Sequence, residues 1–299
     1  MEPLTYIQAM VLGVVEGITE YLPISSTGHL ILASALLGLD TPPERKTAVD
    51  AFTIVIQGGA ILAVLGLYWP RVRSMIAGLL GKDREGLRLL CLLVLAFLPA
   101  AISGPFLDKA IEAYLFNPPA VIVALSAWGV VMIVINRWQS RRFGVAETAD
   151  ANNSGPPHYR ELHDLTWRAA LFIGLMQCLA MWPGTSRSMI TIVAGMLVGM
   201  RPGEAAEFSF LLALPTLGGA TVFKLAKDVL GSGPSYMSQL GLAPMAVGLV
   251  VATLAAALAV KWLVYYLNRH GLALFGWYRL VLSAVFVVLI TENWLIIGF

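Results

Sequence analysis

The chain has 299 residues, of which 58% are hydrophobic and 13% charged, with a formal net charge of +2. A soluble domain carries about 25% charged residues, so an ordinary soluble domain is excluded and an integral membrane protein is expected. The small net charge argues against a nucleic-acid partner. The apolar stretches are long and seldom alternate, which favours helices over a β-barrel. The N-terminus lacks a basic region and a small-residue cleavage site, so no removable signal peptide is expected. Cys91 and Cys178 both sit in apolar runs and read as buried packing residues rather than a disulfide or metal pair.

Along the chain, residues 4–38 come first. They are too long for one helix and are interrupted by Pro23, which removes a hydrogen bond and clashes with the preceding turn. A helix–turn–helix hairpin entering the membrane part-way is expected, against one kinked span or two complete ones. Three clean stretches follow at 50–69, 89–106 and 119–136, each long enough for about 30 Å of hydrocarbon. Residues 143–165, with Asn152, Asn153, Gly155, Pro156 and Pro157, read as a polar linker. A second interrupted stretch, 168–200, breaks at Pro183 and also reads as a hairpin. Three more spans follow at 208–228, 243–267 and 276–298. Trp69, Trp138, Trp277 and Trp294 suit interfacial belts.

Loop charges orient these elements, because cytoplasmic loops collect Lys and Arg. Arg71, Arg73, Lys82, Arg84 and Arg88 place one loop in the cytoplasm, and Arg137, Arg141, Arg142, Arg160 and Arg168 place another. Arg201, Lys261, Arg269 and His270 then fall inside, while 39–49 and 107–118 fall outside. Lys224 and Lys227 fall outside, against the rule. The first hairpin therefore dips in from outside and the second from the cytoplasm. The expected fold is an all-α polytopic membrane protein in one domain. It has two inverted-topology repeats, 1–140 and 165–299, each a re-entrant helix hairpin plus three transmembrane helices. Such repeats bring broken helices together near the midplane.

The two hairpins echo each other in sequence, residues 13–29 in one and 174–188 in the other: an apolar stretch carrying Glu16 or Gln177, a proline, then a hydroxyl-rich turn with His29 or Arg187. Ionisable residues at membrane depth are costly and mark functional sites. Glu16 and Glu20, four apart, share a helix face. Two close carboxylates in low dielectric imply a shared proton or a bound cation; oxygen ligands suit Mg²⁺ or Ca²⁺. Ser25, Ser26 and Thr27 open the next helix, where free N–H groups favour a phosphate. His29, three residues after Ser26, has the spacing of a base to a nucleophile. In the second hairpin, Gly184, Thr185, Ser186, Arg187 and Ser188 form a glycine turn at a helix start. Arg187 is suited to bidentate phosphate binding, and Thr191 shares its face. Glu204 and Glu207 mark a helix start. Gln57, Gly58 and Gly59 within a span indicate close helix packing beside the site, with Gln57 a candidate substrate contact.

Glu16-xxx-Glu20, Pro23-Ile24-Ser25-Ser26-Thr27-Gly28-His29 and Pro183-Gly184-Thr185-Ser186-Arg187-Ser188-Met189-Ile190-Thr191 resemble the signature motifs of the bacterial undecaprenyl-diphosphatase family of bacitracin-resistance type. Val55-Ile56-Gln57 and Glu207 to Pro215 are similar to it too, and Met189 departs from the glycine frequent there. The resemblance implies removal of the terminal phosphate of a C55 polyprenyl diphosphate, regenerating the carrier for cell-wall synthesis. It also implies dependence on a divalent cation and an active site on the extracytoplasmic side of the bacterial cytoplasmic (inner) membrane. On this reading Glu16 and Glu20 hold the cation, Arg187 and the helix starts hold the phosphates, and Ser26 attacks with His29 moving its proton. Attack by an activated water is the alternative. A transporter or lipid flippase using the same pocket is the rival class, and a homodimer is left open.

Overall fold

The computed structural model describes residues 4–40, 42–143, 159–230 and 240–292. Regular structure there is helical, with a single isolated bridge between Arg160 and Met200. Six helices are long and apolar enough to cross a membrane, and they match the six expected stretches. They are α3 (Pro43–Leu67), α5 (Arg84–Leu115), α6 (Pro118–Phe143), α9 (Pro202–Leu230), α10 (Leu242–His270) and α11 (Ala273–Thr291). Four further apolar helices are too short to cross: α1 (Tyr6–Thr19), α2 (Ser26–Leu36), α7 (Trp167–Gln177) and α8 (Arg187–Leu197). At 11 to 14 residues they reach about 16 to 21 Å. They form two helix–turn–helix pairs, α1 with α2 and α7 with α8. A capping box at Thr5 and Gln8 starts α1.

Three loop expectations are corrected. The stretch after α3 forms a further helix, α4 (Trp69–Leu79), packed on α5. Met75 and Gly78 supply its buried side, and Arg71 and Arg73 are exposed. The Asp83 side chain then caps α5, accepting from the Gly86 N–H at 2.9 Å and from the Ser74 hydroxyl. Those hydrogen bonds hold its carboxyl below the ordinary range. The outer loop expected at 107–118 is helical to Leu115, because α5 continues through Pro99 and Pro105. The Ser103 hydroxyl donates to the Pro99 carbonyl within this proline-interrupted stretch. Of the expected linker, residues 144–158 lie outside the described residues. Residues 159–165 are folded down: the Arg160 N–H donates to the Gly199 carbonyl, and Leu162 and Leu165 are buried. Asn152, Asn153, Gly155, Pro156, Pro157 and Trp294 also lie outside the described residues, and so does the end of the last span. Cys178 is half-buried but Cys91 is exposed on the helix surface, and both are free thiols.

The basic helix ends gather at one end of the bundle. Arg71 pairs with Glu207 at 2.9 Å, Arg88 donates to the carbonyls of His163 and Leu165, and the Leu162 N–H donates to Glu204. Asn136 near the end of α6 accepts from the Leu272 N–H at the start of α11. Asn268 near the end of α10 lies against Gly203.

Close approaches of small residues orient the short helices. A Cβ at Gly13 would lie 2.7 Å from the Gly248 carbonyl, and one at Gly17 would lie 2.5 Å from that of Ala252. Thus α1 runs parallel to α10, from the end opposite the basic one to near its midpoint. A Cβ at Gly174 would lie 2.4 Å from the Ala96 carbonyl, so α7 runs parallel to α5 and starts at the basic end. The two helical hairpins enter from opposite ends. Small residues are what let membrane helices approach this closely, since packing rather than water drives their association. Val11, Val14 and Ile18 on α1, and Leu254 and Leu258 on α10, stay exposed, as a lipid-facing surface requires.

Overpacking of this kind costs about 1–3 kcal/mol or more. Gly17→Val is therefore expected to lower the thermal unfolding midpoint of the detergent-solubilised protein. An unchanged midpoint would show that α1 does not seat against α10 as described.

Candidate active site

Both hairpin turns end in the same local device. Ser25 and Ser186 are the non-glycine residues with positive φ among those described, at 75° and 73°. Left-handed backbone at a non-glycine residue costs about 1–3 kcal/mol and persists only where the surroundings impose it. Each serine caps the following helix, accepting from the Gly28 N–H in one case and the Met189 N–H in the other. The next residues, Ser26 and Arg187, begin α2 and α8.

These two residues converge on one carboxylate. The Ser26 hydroxyl donates to Glu20 Oε2 at 2.7 Å, and Arg187 Nη2 donates to Glu20 Oε1 at 3.1 Å. The Arg187 and Glu20 side chains are only 9% and 6% exposed. Arg187 Nη1 donates to the Ser209 carbonyl at 2.9 Å, and its guanidinium lies over the Tyr21 ring. The Ser188 hydroxyl donates to the Leu22 carbonyl, so the turns also touch directly. Ser186 and Ser188 share a hydrogen bond, as do Thr191 and Ser209. The Tyr21 hydroxyl ties the first turn to α3 through the Ala60 carbonyl.

The cluster holds unmet polar capacity. Six buried side-chain atoms among the described residues lack a partner, and four are in the hairpins: Glu16 Oε2, Gln177 Nε2, Thr185 Oγ1 and Arg187 Nε. Leaving a buried polar atom unpaired costs about 1–3 kcal/mol, so the unpaired atoms of Glu16 and Arg187, the residues that flank Glu20, fit a polar ligand. The free Glu16 oxygen, one helix turn before Glu20, fits a cation. Among the described residues no three His, Cys, Asp or Glu converge as a metal cage. Two carboxylates with the remaining positions left to substrate oxygens and water is how Mg²⁺ is commonly held.

Other expected residues are placed differently. His29 does not bond Ser26. Its Nδ1 lies 2.7 Å from the Ser25 carbonyl and its Nε2 lies 2.6 Å from the Tyr278 hydroxyl. These partners assign the proton to Nδ1 and let Nε2 accept from Tyr278. Thr27 is exposed, and Gln57 is half-buried on α3; neither side chain forms a hydrogen bond among the described residues. Gly59, two residues on, does pack closely, since a Cβ there would lie 2.5 Å from the Leu249 carbonyl. Gly184, at φ 90°, offers its carbonyl rather than an N–H, and that carbonyl accepts from Arg279. Sequence reasoning passed over Arg279 and Tyr278, and it did not assign Ser209 a role. A lone arginine inside the span 276–298 was the available signal for Arg279.

A bundle of spanning helices with two short hairpins meeting in a buried ionic cluster defines a polytopic membrane protein with an intramembrane polar site. Residues 9–285 match the family model described as Bacitracin resistance protein BacA, and the chain belongs to that family. It is 44% identical over 282 residues to an undecaprenyl-diphosphatase of Sorangium cellulosum (strain So ce56), covering 94% of this chain and 85% of the relative. It is 44% identical over 286 residues to undecaprenyl-diphosphatase 2 of Rhodospirillum rubrum, covering 95% of each. An undecaprenyl-diphosphatase of Clostridium tetani is 36% identical over 286 residues, covering 96% of this chain and 97% of the relative.

Proposed function

We infer that this protein hydrolyses undecaprenyl diphosphate to undecaprenyl phosphate and inorganic phosphate within the membrane, the activity for which its relatives are named. The observation that carries this reading is the sharing of Glu20 between Ser26 and Arg187, the first residues of the two inner helices. One carboxylate thereby sets a hydroxyl beside a guanidinium at two helix starts, where a phosphate is favoured. The transport reading finds no support in relatives named as diphosphatases.

The diphosphate enters between the turns. Arg187 and the N–H groups opening α2 and α8 take its oxygens, with Ser186, Ser188 and Thr191 supporting the arginine's helix. Ser26 attacks the terminal phosphorus, and its proton passes to Glu20 Oε2. The bond to the bridging oxygen breaks, and undecaprenyl phosphate leaves. Water then cleaves the phosphoserine and inorganic phosphate departs. His29 Nε2, which accepts from Tyr278 in the resting site, takes the proton of that water, and Glu20 returns its proton to the Ser26 oxygen. Glu16 and Glu20 would hold Mg²⁺ or Ca²⁺, and a cation there would offset charge on the diphosphate.

The reading places the protein in the bacterial inner membrane, with the site facing the extracytoplasmic side. The basic residues clustered at one end support that orientation. So does the second turn, where Gly184 lies against Val121 and Ala124 in the first two turns of α6, near the opposite end. Two inverted repeats are supported by the opposed entry of the hairpins and by reciprocal packing, α1 on α10 and α7 on α5.

Purified protein in detergent, with no gradient, is expected to release phosphate from undecaprenyl diphosphate and to stop on addition of a chelator. Restoration by Mg²⁺ or Ca²⁺ identifies the ion. Release unaffected by chelator would remove the cation from the reading, and no release at all would remove the phosphatase.

A further inference from the structure

The second turn of α11 carries a charged group that the mechanism does not use. Arg279 is 0% exposed and heads the largest fully buried side chains. Among the described residues no carboxylate pairs with it, and its donors all go to backbone carbonyls. Nη2 donates to Gly184 at 2.6 Å and to Ala124 at 3.4 Å, Nη1 donates to Pro23 at 3.4 Å, and Nε donates to Leu125 at 3.4 Å. Ala124 and Leu125 belong to α6. Pro23 and Gly184 belong to the two hairpin turns.

Their positions correspond. Pro23 lies two residues before the left-handed Ser25, and Gly184 lies two residues before the left-handed Ser186. Arg279 therefore grips each turn at the same place relative to the strained cap that aims Ser26 or Arg187. Its own position is set by α6. A Cβ at Gly129 would lie 2.9 Å from the Gly276 carbonyl and 3.3 Å from the Arg279 Cβ, so the two helices meet backbone to backbone just below the guanidinium. A planar fork with five N–H donors can hold carbonyls from three segments at once, whereas an ammonium is a single point.

We propose that Arg279 is a positioning residue that holds the two hairpin turns at a fixed spacing, so that Ser26 and Arg187 both meet Glu20, without itself touching the substrate. The proposal rests on the phosphatase reading above. A displacement of about 1 Å in a reacting group can cost on the order of a hundredfold in rate.

The test measures kcat and KM for phosphate release from undecaprenyl diphosphate by full-length wild type, Arg279→Lys and Arg279→Gln. Each is normalised to monodisperse, folded protein. A positioning role predicts that kcat falls at least about tenfold in both variants while KM stays within about threefold. Guanidinium ion added to Arg279→Ala should restore part of the lost turnover. A kcat per folded molecule within about twofold of wild type overturns the proposal, as does a rise in KM at unchanged kcat, which marks a substrate contact. If no Arg279 variant stays folded, Ser188→Ala decides, because Ser188 also ties the turns directly, through the Leu22 carbonyl. A lower kcat there at constant KM supports control by turn spacing, and an unchanged kcat overturns it. Wild type that releases no phosphate is instead a failure of the phosphatase reading.

Discussion

Arg187→Ala is expected to reduce kcat for phosphate release by about 10³-fold, roughly 4 kcal/mol of lost transition-state stabilisation. The guanidinium is the positive group of the cluster that reaches across to the first hairpin, through Glu20 at 3.1 Å. It also has a spare donor, because its Nε is buried without a partner. Removing it leaves Glu20 buried without its ion pair, and breaking a buried pair costs about 3–5 kcal/mol of stability. Two measurements keep these effects apart. Thermal unfolding in detergent reports the stability loss, and kcat per folded molecule reports the chemistry. Arg187→Lys keeps a charge but loses the fork, and it should retain stability better than activity. Turnover of Arg187→Ala within about tenfold of wild type, per folded molecule, would contradict its role as the phosphate clamp.

Ser26→Ala carries the second large effect, a fall in kcat of about 10³-fold or more, because loss of an attacking group is not made good by its neighbours. Glu20→Gln removes both the acceptor for the Ser26 proton and the partner of Arg187, and it should be as severe. The double variant should be little worse than either single one, since groups that act as a unit do not add. Phosphate release by Ser26→Ala at near the wild-type rate, with His29→Ala inactive, would replace the serine route by direct attack of water. The geometry already separates the two residues. Ser26 is bonded to Glu20, whereas His29 is held by Ser25 and Tyr278.

The spans and the breaks at Pro23 and Pro183 were legible from the chain because they are local. A run of apolar residues must be helical in hydrocarbon, where backbone groups have no other partner, and proline interrupts such a run wherever it falls. The opposed entry of the hairpins was also legible, through the distribution of Arg and Lys. The helical continuation from 107 to Leu115 and the helix α4 were not. Proline is tolerated where packing holds the helix, and α4 owes its place to contact with α5, which no local pattern records.

The site divides in the same way. Glu16, Glu20, Ser26 and Arg187 stand out because a polar residue in an apolar segment is visible in one dimension. His29 stands out too, yet its spacing from Ser26 misled. Three residues along a helix bring two positions to one face but do not choose a side-chain partner, and Tyr278, 249 residues away, competes for the ring. Arg279 reads as one more charge near a span end until the turns on either side of it are seen. By itself the chain determined that this is a helical membrane protein with two broken segments bearing complementary charge, since both facts follow from residue type and local order in a low-dielectric solvent. Only the tertiary structure decided that Glu20 is shared by two helix starts, and that one buried guanidinium joins both turns. Such contacts depend on angles and distances between segments far apart in sequence, and these are set by backbone approaches at glycines such as Gly17 and Gly129.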